Sequence, residues 1–345
     1  MAAGRFDEAR LDDPGALLAH DAELRELAML GARVRTEVDR SGVHGRLEQN
    51  LRPRGILAVG PEARLIRAVL EPVCPSPFVA WSLGGLPGWV GSLDLVIVLG
   101  SGDDQADADG GLLTTVVEAR RRGCALLVAA PEDSPMAEAA LSASTWLVPT
   151  TTGDPLAAAV AVLGALDTLG LGPQVHPDSV AEAADMVAEE CSPYRNISVN
   201  PAKDLAIAMA EAQVLIWGGS VLAARASRRV AEAVRRSSGR AALAADADAL
   251  VPVLRRVPPR DPFADPVDHP GGLRPVLLIL DDGPADPVVS AAGAALEVLA
   301  EEHEVRVCRL DAGTGDEIDR YVTLLQRGRY GATYLGVGLG LEEFG

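Results

Sequence analysis

The feature that most limits the possible folds of this chain is a repeated alternation of short apolar runs with helical patterns. Residues 55–60 (GILAVG), 93–100 (LDLVIVLG) and 124–130 (CALLVAA) each precede a segment whose apolar residues recur at helical spacing. Runs that are apolar at nearly every position are typical of strands buried on both faces of a parallel sheet. The first half of the chain therefore predicts an α/β fold with helices on both sides of the sheet.

The same alternation returns in the second half. Residues 214–218 (VLIWG) precede a helical pattern at 221–237, and residues 276–280 (VLLIL) precede another at 288–302. We therefore predict two three-layer αβα sandwiches with mainly parallel sheets, after a helical pattern at 7–50. The predicted division is an N-terminal helical segment at 1–50, a first domain at 51–170, a linker at 171–200 and a second domain at 201–345. A ligand cleft is expected between such halves, at the carboxyl ends of the strands.

Charge and apolar patterning exclude several classes of partner. The formal charge is −18, from 31 basic and 49 acidic residues, which argues against binding to nucleic acid or to an anionic membrane. No apolar stretch approaches the ~18 residues of a membrane span, and residues 1–13 lack the layout of a signal peptide. We expect a cytoplasmic protein that binds neither nucleic acid nor membranes.

The sequence also predicts no metal and no cofactor. The four cysteines and five histidines are scattered and form none of the close spacings of zinc sites. The turn at 217–220 (WGGS) lacks the GxGxxG spacing of a dinucleotide-binding loop.

Two glycine-containing turns are candidates for ligand binding. Gly218, Gly219 and Ser220 precede a predicted helix whose N-terminal amides attract phosphate, although the same residues suit a plain tight turn. Ser101 lies in a loop that begins at Gly100 and carries four aspartates by position 109. A solvent-exposed acidic loop is the preferred interpretation there, and a site for a metal and a phosphate is the alternative.

Glu232 lies on the predicted helix at 221–237, three or four residues from several arginines. This is the spacing of exposed helical ion pairs. From the residues alone, an exposed and paired carboxylate is therefore the preferred interpretation.

Three segments resemble one known family. They are residues 200–206 (NPAKDLA), 86–90 (LPGWV) and 331–336 (GATYLG). In these segments and in its overall pattern of predicted strands and helices, the chain resembles the two-domain SIS (sugar isomerase) proteins. The similarity is to the bifunctional phosphoglucose/phosphomannose isomerases, in particular their actinobacterial TobH-type branch. The resemblance implies two SIS-type sandwiches, a hexose phosphate as ligand and a homodimer.

The resemblance also implies site residues. Glu232 follows Arg225 by seven residues, as the family's catalytic glutamate follows an arginine. It would be the base that moves a proton between C1 and C2 of an open-chain sugar phosphate through a cis-enediol. The substrate-binding positions implied by the resemblance are Gly60, Ser101, Gly218, Gly219, Ser220 and Arg225.

Other parts of the family's site are missing. The histidine that assists ring opening is absent from residues 244–250 (AADADAL), and Leu156 stands where the family has an arginine. Losing one acid/base group typically costs about 10²–10⁴-fold in rate. Three hypotheses follow: an isomerase that uses Glu232, a phosphosugar sensor or regulatory partner without catalysis, and an interaction protein with an unused cleft. We favour an altered family member in which binding outweighs catalysis.

Overall fold

The structure is a computed structural model that describes residues 5–40, 51–100, 102, 107, 110–141, 144–259, 273–283 and 286–341. The chain divides into two compact units. We call Leu30–Glu182 the middle unit, and Met1–Met29 together with Ala183–Gly345 the terminal unit. The domain boundaries predicted from the sequence stay a prediction.

The helical pattern at 7–50 forms several short helices rather than one long one. They are a 3₁₀ turn at Glu8–Leu11, α1 at Pro14–Leu18, α2 at Asp21–Ala28 and α3 at Leu30–Arg40. Pro14 is the first residue of α1, a position where a helix does not need the backbone N–H that proline lacks. Asp13 caps this helix, because its carboxylate accepts a hydrogen bond from Ala16 N at 2.7 Å. Residues 41–50 lie outside the described residues.

The middle unit is built on a parallel sheet of five strands. The strands are β1 (Ile56–Val59), β2 (Phe78–Trp81), β3 (Leu95–Leu99), β4 (Ala125–Ala130) and β5 (Thr145–Pro149). Four further helices belong to it: α4 (Ala63–Leu70), α5 (Leu112–Arg121), α6 (Pro135–Ala140) and α7 (Pro155–Thr168). The order is β2-β1-β3-β4-β5, and every adjacent pair is parallel. From β1 the chain adds β2 on one side of the sheet and then crosses over to add β3 on the other side. The strand order therefore reverses between β1 and β3.

Both faces of this sheet are buried, as the apolar runs predict. Leu57, Val96 and Val128 share a core cluster with Val116 of α5 and Met136 of α6. The alternate residues of the same strands, which face the opposite side of the sheet, are buried as well. The predicted layering of helices on a parallel sheet follows directly from this burial.

The terminal unit contains the second sheet. Its strands are β6 (Ala212–Gly218), β7 (Ala242–Ala244), β8 (Arg274–Asp281) and β9 (Arg306–Asp311). Its helices after β5 are the second half of α8 (Pro177–Glu190), which begins in the middle unit, and α9 (Pro201–Met209), α10 (Val221–Ser238), α11 (Ala247–Leu254), α12 (Pro287–Glu302) and α13 (Glu317–Leu339). The order is β7-β6-β8-β9, and all pairs are parallel. The predicted α/β class with two mainly parallel sheets is confirmed.

Glycines let α13 pack closely against its neighbours. A Cβ on Gly328 would overlap Val230 of α10, and one on Gly331 would lie 2.6 Å from the Leu205 side chain of α9. Such contacts require a residue without a side chain. α13 continues to Leu339, because these glycines face other helices rather than ending it.

Candidate functional site

A candidate site of the terminal unit lies at the carboxyl ends of β6 and β8. The chain leaves β6 toward β7 on one side, while β8 lies on the other side. Parallel sheets commonly bind ligands at such a reversal. A cavity of ≈350 Å³ is found here, and its lining includes Trp217, Gly219, Asp282, Ser290 and Glu297. We call it the β6–β8 cavity.

Of the predicted turn Gly218-Gly219-Ser220, the middle residue Gly219 lines this cavity. A Cβ on Gly218 would overlap the Ala223 backbone, so its glycine is explained by close packing. Ser220 is the N-cap of α10 and accepts a hydrogen bond from Ala223 N at 3.0 Å. Its hydroxyl donates to the Asp282 carboxylate. An internal carboxylate therefore already binds the Ser220 hydroxyl.

Carboxylates outnumber cations in the lining of this cavity. The Arg309 guanidinium donates to both Asp281 and Glu297, and Asp282 is bound to Ser220. Three carboxylates and one guanidinium thus line it. At ~5 Å a further negative charge would meet about 3 kcal/mol of repulsion per carboxylate at an effective dielectric constant of ~20. The cavity is suited to hydroxyl donors and resists a phosphate at close range.

Arg225 and Glu232 lie farther along α10. The Arg225 side chain is buried. The Glu232 carboxylate is 42% exposed and pairs with Arg229 at 3.0 Å and with Arg236 at 3.4 Å. This is the ion-pair arrangement that the helical spacing indicates. The role of Glu232 as a base stays a prediction.

In the middle unit, Gly60 lies where β1 ends beside β3. Its φ is +116°, and a Cβ there would overlap the Leu99 carbonyl, so only glycine fits. Ser101 lies outside the described residues. Asp107 of the acidic loop is buried, 5% exposed, which corrects the expectation of a wholly solvent-exposed loop at this one described aspartate.

A buried carboxylate at the end of β5 was missed by the sequence analysis. Glu37 of α3 is fully buried and accepts hydrogen bonds from Thr151 N at 3.0 Å, Thr152 N at 2.6 Å and Thr152 Oγ1 at 2.5 Å. These donors would otherwise be available to an external anion. Nothing near Glu37 in the sequence indicates this contact, because its partners lie 114 and 115 residues away.

The acidic residues of the β6–β8 cavity were also missed. Asp281 and Asp282 directly follow the apolar run at 276–280, which is the position where ligand-binding loops are expected. That signal was available in the sequence. Among the described residues, no three His, Cys, Asp or Glu side chains are grouped so that they could hold a metal ion. No helix within the described ranges is long and apolar enough to cross a membrane.

Comparison with solved structures shows which fold these units have. Tagatose-6-phosphate ketose/aldose isomerase from Escherichia coli matches with a TM-score of 0.68 and 13% identity, over 94% of this chain and 95% of that one. The C-terminal domain of glucosamine-fructose-6-phosphate aminotransferase from Francisella tularensis gives 0.62 and 12%, over 93% and 97%. A glucose-6-phosphate isomerase like protein from Thermus thermophilus gives 0.57 and 18%, over 96% and 94%.

The likeness therefore covers nearly the whole of each chain, and it establishes the SIS-type fold. In comparisons of sequence, no family model and no curated protein matches the chain. The similarity to the TobH-type branch stays a prediction, as do the homodimer and the cytoplasmic location.

Proposed function

We propose that this protein binds a hexose phosphate and acts as a phosphosugar sensor rather than as an efficient isomerase. The observation that carries the proposal is the β6–β8 cavity, placed at the strand reversal of a fold shared with proteins whose names refer to sugar phosphates. Carboxylates and serine hydroxyls suit the hydroxyl groups of a sugar, which both donate and accept hydrogen bonds. In this proposal the phosphate lies at the open side of the cavity, away from the three carboxylates. The proposed site residues are therefore Trp217, Ser220, Asp282, Ser290 and Glu297.

The setting of Glu232 supports binding without efficient turnover. A general base needs a carboxylate oxygen that can reach the substrate's proton. Arg229 and Arg236 contact the two oxygens of the Glu232 carboxylate at 3.0 and 3.4 Å, so both oxygens already have partners within the helix. Isomerisation with Glu232 as the base is the alternative that the same experiment tests.

The test measures binding and turnover separately. Fructose 6-phosphate, glucose 6-phosphate and mannose 6-phosphate are titrated calorimetrically against the whole chain, and a coupled assay follows their interconversion. Ser290→Trp places a large ring in the cavity from an exposed position of α12 and should abolish binding. Val298→Trp is the matched control, because Val298 is 56% exposed on the same helix and lies outside the cavity lining.

Three outcomes are distinguishable. Binding that Ser290→Trp removes and Val298→Trp retains, without turnover, supports the sensor. Turnover that Glu232→Gln abolishes supports the isomerase instead. If none of the three sugars binds, the sensor and the isomerase are both contradicted, and the hypothesis of an interaction protein remains.

A further inference from the structure

The outer face of α10 is basic, although the whole chain carries a formal charge of −18. Four arginines lie along this helix in two pairs whose members are seven residues apart: Arg228 with Arg235, and Arg229 with Arg236. Seven residues make almost two complete turns and span about 10.5 Å along a helix axis. The two arginines of each pair therefore point to nearly the same side of α10.

The pair of Arg228 and Arg235 has no carboxylate partner within the described residues. Arg228 is exposed and forms neither an ion pair nor a hydrogen bond there. Arg235 is also exposed and donates to the Ala242 carbonyl at 3.1 Å. Val221, seven residues before Arg228, lies on the same side of the helix and is 57% exposed. We call Val221, Arg228 and Arg235 the outer row of α10.

The carboxylates shown near this face are fewer than its arginines. Glu232 lies between the two pairs and contacts Arg229 at 3.0 Å and Arg236 at 3.4 Å. Glu23 of α2 reaches the last turn of α10, where it accepts a hydrogen bond from Ser237 at 3.4 Å. With both carboxylates counted against the four arginines, the face stays positively charged. It therefore attracts an anionic partner.

The spacing of the outer row indicates a helical partner. Carboxylates seven residues apart on an adjacent helix lie about 10.5 Å apart on one side, as Arg228 and Arg235 do. On one side of an extended strand, side chains lie ~6.6 or ~13 Å apart, because alternate residues point to opposite faces. A helix therefore matches both arginines at once, and a strand does not.

We propose that the outer row of α10 binds a helix of a partner protein that carries carboxylates at positions i and i+7. These carboxylates pair with Arg228 and Arg235, and an apolar residue one further interval away packs on Val221. Positions i+3 and i+4 of the partner are not acidic, because Glu232 lies between the two arginines and would repel them.

A second copy of this chain fits the outer row less well. Its acidic helix α8 carries carboxylates at positions 178, 182, 185 and 189. Any two of these that are seven residues apart have a third between them, and that third carboxylate would face Glu232. The proposal does not depend on the sugar site, since none of the three residues of the outer row lines the β6–β8 cavity.

The probe is a fluorescein-labelled, alanine-based helical peptide with leucine, glutamate, glutamate and leucine at successive seven-residue intervals. It is titrated against the whole chain at low ionic strength, because salt screens exposed ion pairs, and binding is followed by fluorescence anisotropy. The comparison peptide has the same composition, but its two glutamates are five residues apart and point to different sides of the helix. A single-stranded oligonucleotide tests for a surface that binds polyanions in general.

Two double variants carry the same change of net charge. One joins Arg228→Glu to Arg235→Glu and reverses both charges of the outer row. The matched control joins Arg255→Glu to Arg256→Glu, at two exposed positions that follow α11 in the same unit. Arg228→Glu alone is the mildest variant, because Arg228 has no hydrogen bond to lose within the described residues.

The probe should bind at least fivefold more tightly than the comparison peptide. The outer-row double variant should weaken probe binding at least tenfold and Arg228→Glu severalfold, whereas the control should change it less than twofold. The proposal is wrong if the probe does not bind at millimolar concentration, if both peptides bind equally, or if the control weakens binding as much as the outer-row variant. Binding of the oligonucleotide that the outer-row variant abolishes would show a polyanion surface instead. Should the double variant not fold, unchanged affinity in Arg228→Glu would overturn the proposal equally.

Discussion

The Lys203 ammonium lies 2.8 Å from the Asp12 carboxylate and is completely buried. It also donates to the carbonyls of Pro193 and Arg195, at 3.0 and 2.8 Å, and lies 5.4 Å from the centre of the Tyr334 ring. One lysine thus joins the N-terminal segment, the loop before α9 and α13 within the terminal unit. A buried cation is stable only with such partners.

We expect Asp12→Asn to destabilise the terminal unit by about 1–2 kcal/mol. Removing one partner of a buried pair costs about 3–5 kcal/mol, and the loss is smaller here because Lys203 keeps two carbonyl acceptors and Asp12 is 33% exposed. Urea-induced unfolding measures the change. Asp21→Asn, which removes an exposed pair with Arg25, is the control and should change stability little. Equal effects of the two variants would contradict the importance of Lys203.

The same pair predicts a pH dependence. The hydrogen bond from Lys203 lowers the pKa of Asp12 below its ordinary value. A carboxyl whose folded-state pKa is lowered contributes stability above its unfolded pKa of about 3.9 and loses it as the pH falls through the folded pKa. The difference between wild type and Asp12→Asn should therefore be constant above about pH 5 and shrink below about pH 4. A difference that stays unchanged in acid would show that Asp12 does not act through its charge.

Glu37 supports a second stability prediction. Its carboxylate accepts hydrogen bonds from two backbone amides and one hydroxyl while fully buried. Glu37→Gln turns an NH₂ group toward some of these donors and should cost about 1–3 kcal/mol. Glu71→Gln is the control, since Glu71 is half exposed and pairs only at the surface with Arg67. A thermal shift no larger than that of the control would contradict this role of Glu37.

The sequence motifs predicted the fold because they are packing motifs. Asn200 caps α9 by accepting from Ala202 N and Lys203 N, at 3.0 and 3.2 Å. Tyr334 donates to the Cys191 carbonyl at 2.7 Å, and Gly331 allows α9 to approach α13. None of these contacts involves the proposed sugar site. A resemblance based on them therefore indicates the architecture and says little about chemistry.

The candidate site was less predictable because its residues meet only in three dimensions. Ser220 and Asp282 are 62 positions apart and belong to different strand–helix connections. The glycine-rich turn in the sequence indicates Gly218, Gly219 and Ser220, but no local pattern pairs that turn with the end of β8. Asp282 lies beside this turn because β8 is the neighbour of β6 in the sheet. Local sequence patterns do not specify the order of strands in a sheet.

Asp282 supports the last prediction, which rests on the proposed sugar site. Asp282→Asn keeps the size of the side chain and an acceptor for Ser220, and it removes one of the three negative charges around the β6–β8 cavity. Because like charges at ~5 Å repel by up to about 3 kcal/mol at an effective dielectric constant of ~20, and water screens part of this, we expect fructose 6-phosphate to bind roughly tenfold more tightly. Calorimetric titration measures the change.

Two controls separate local charge from other effects of Asp282→Asn. Unphosphorylated fructose should bind no more tightly to the variant than to wild type, since it carries no charge to repel and its hydroxyl groups lose a carboxylate acceptor. Glu301→Gln, at an exposed position of α12 outside the cavity lining, alters the net charge equally and should leave the affinity for fructose 6-phosphate unchanged. If Asp282→Asn tightens fructose as much as fructose 6-phosphate, the carboxylate acts by occupying space rather than by repelling phosphate.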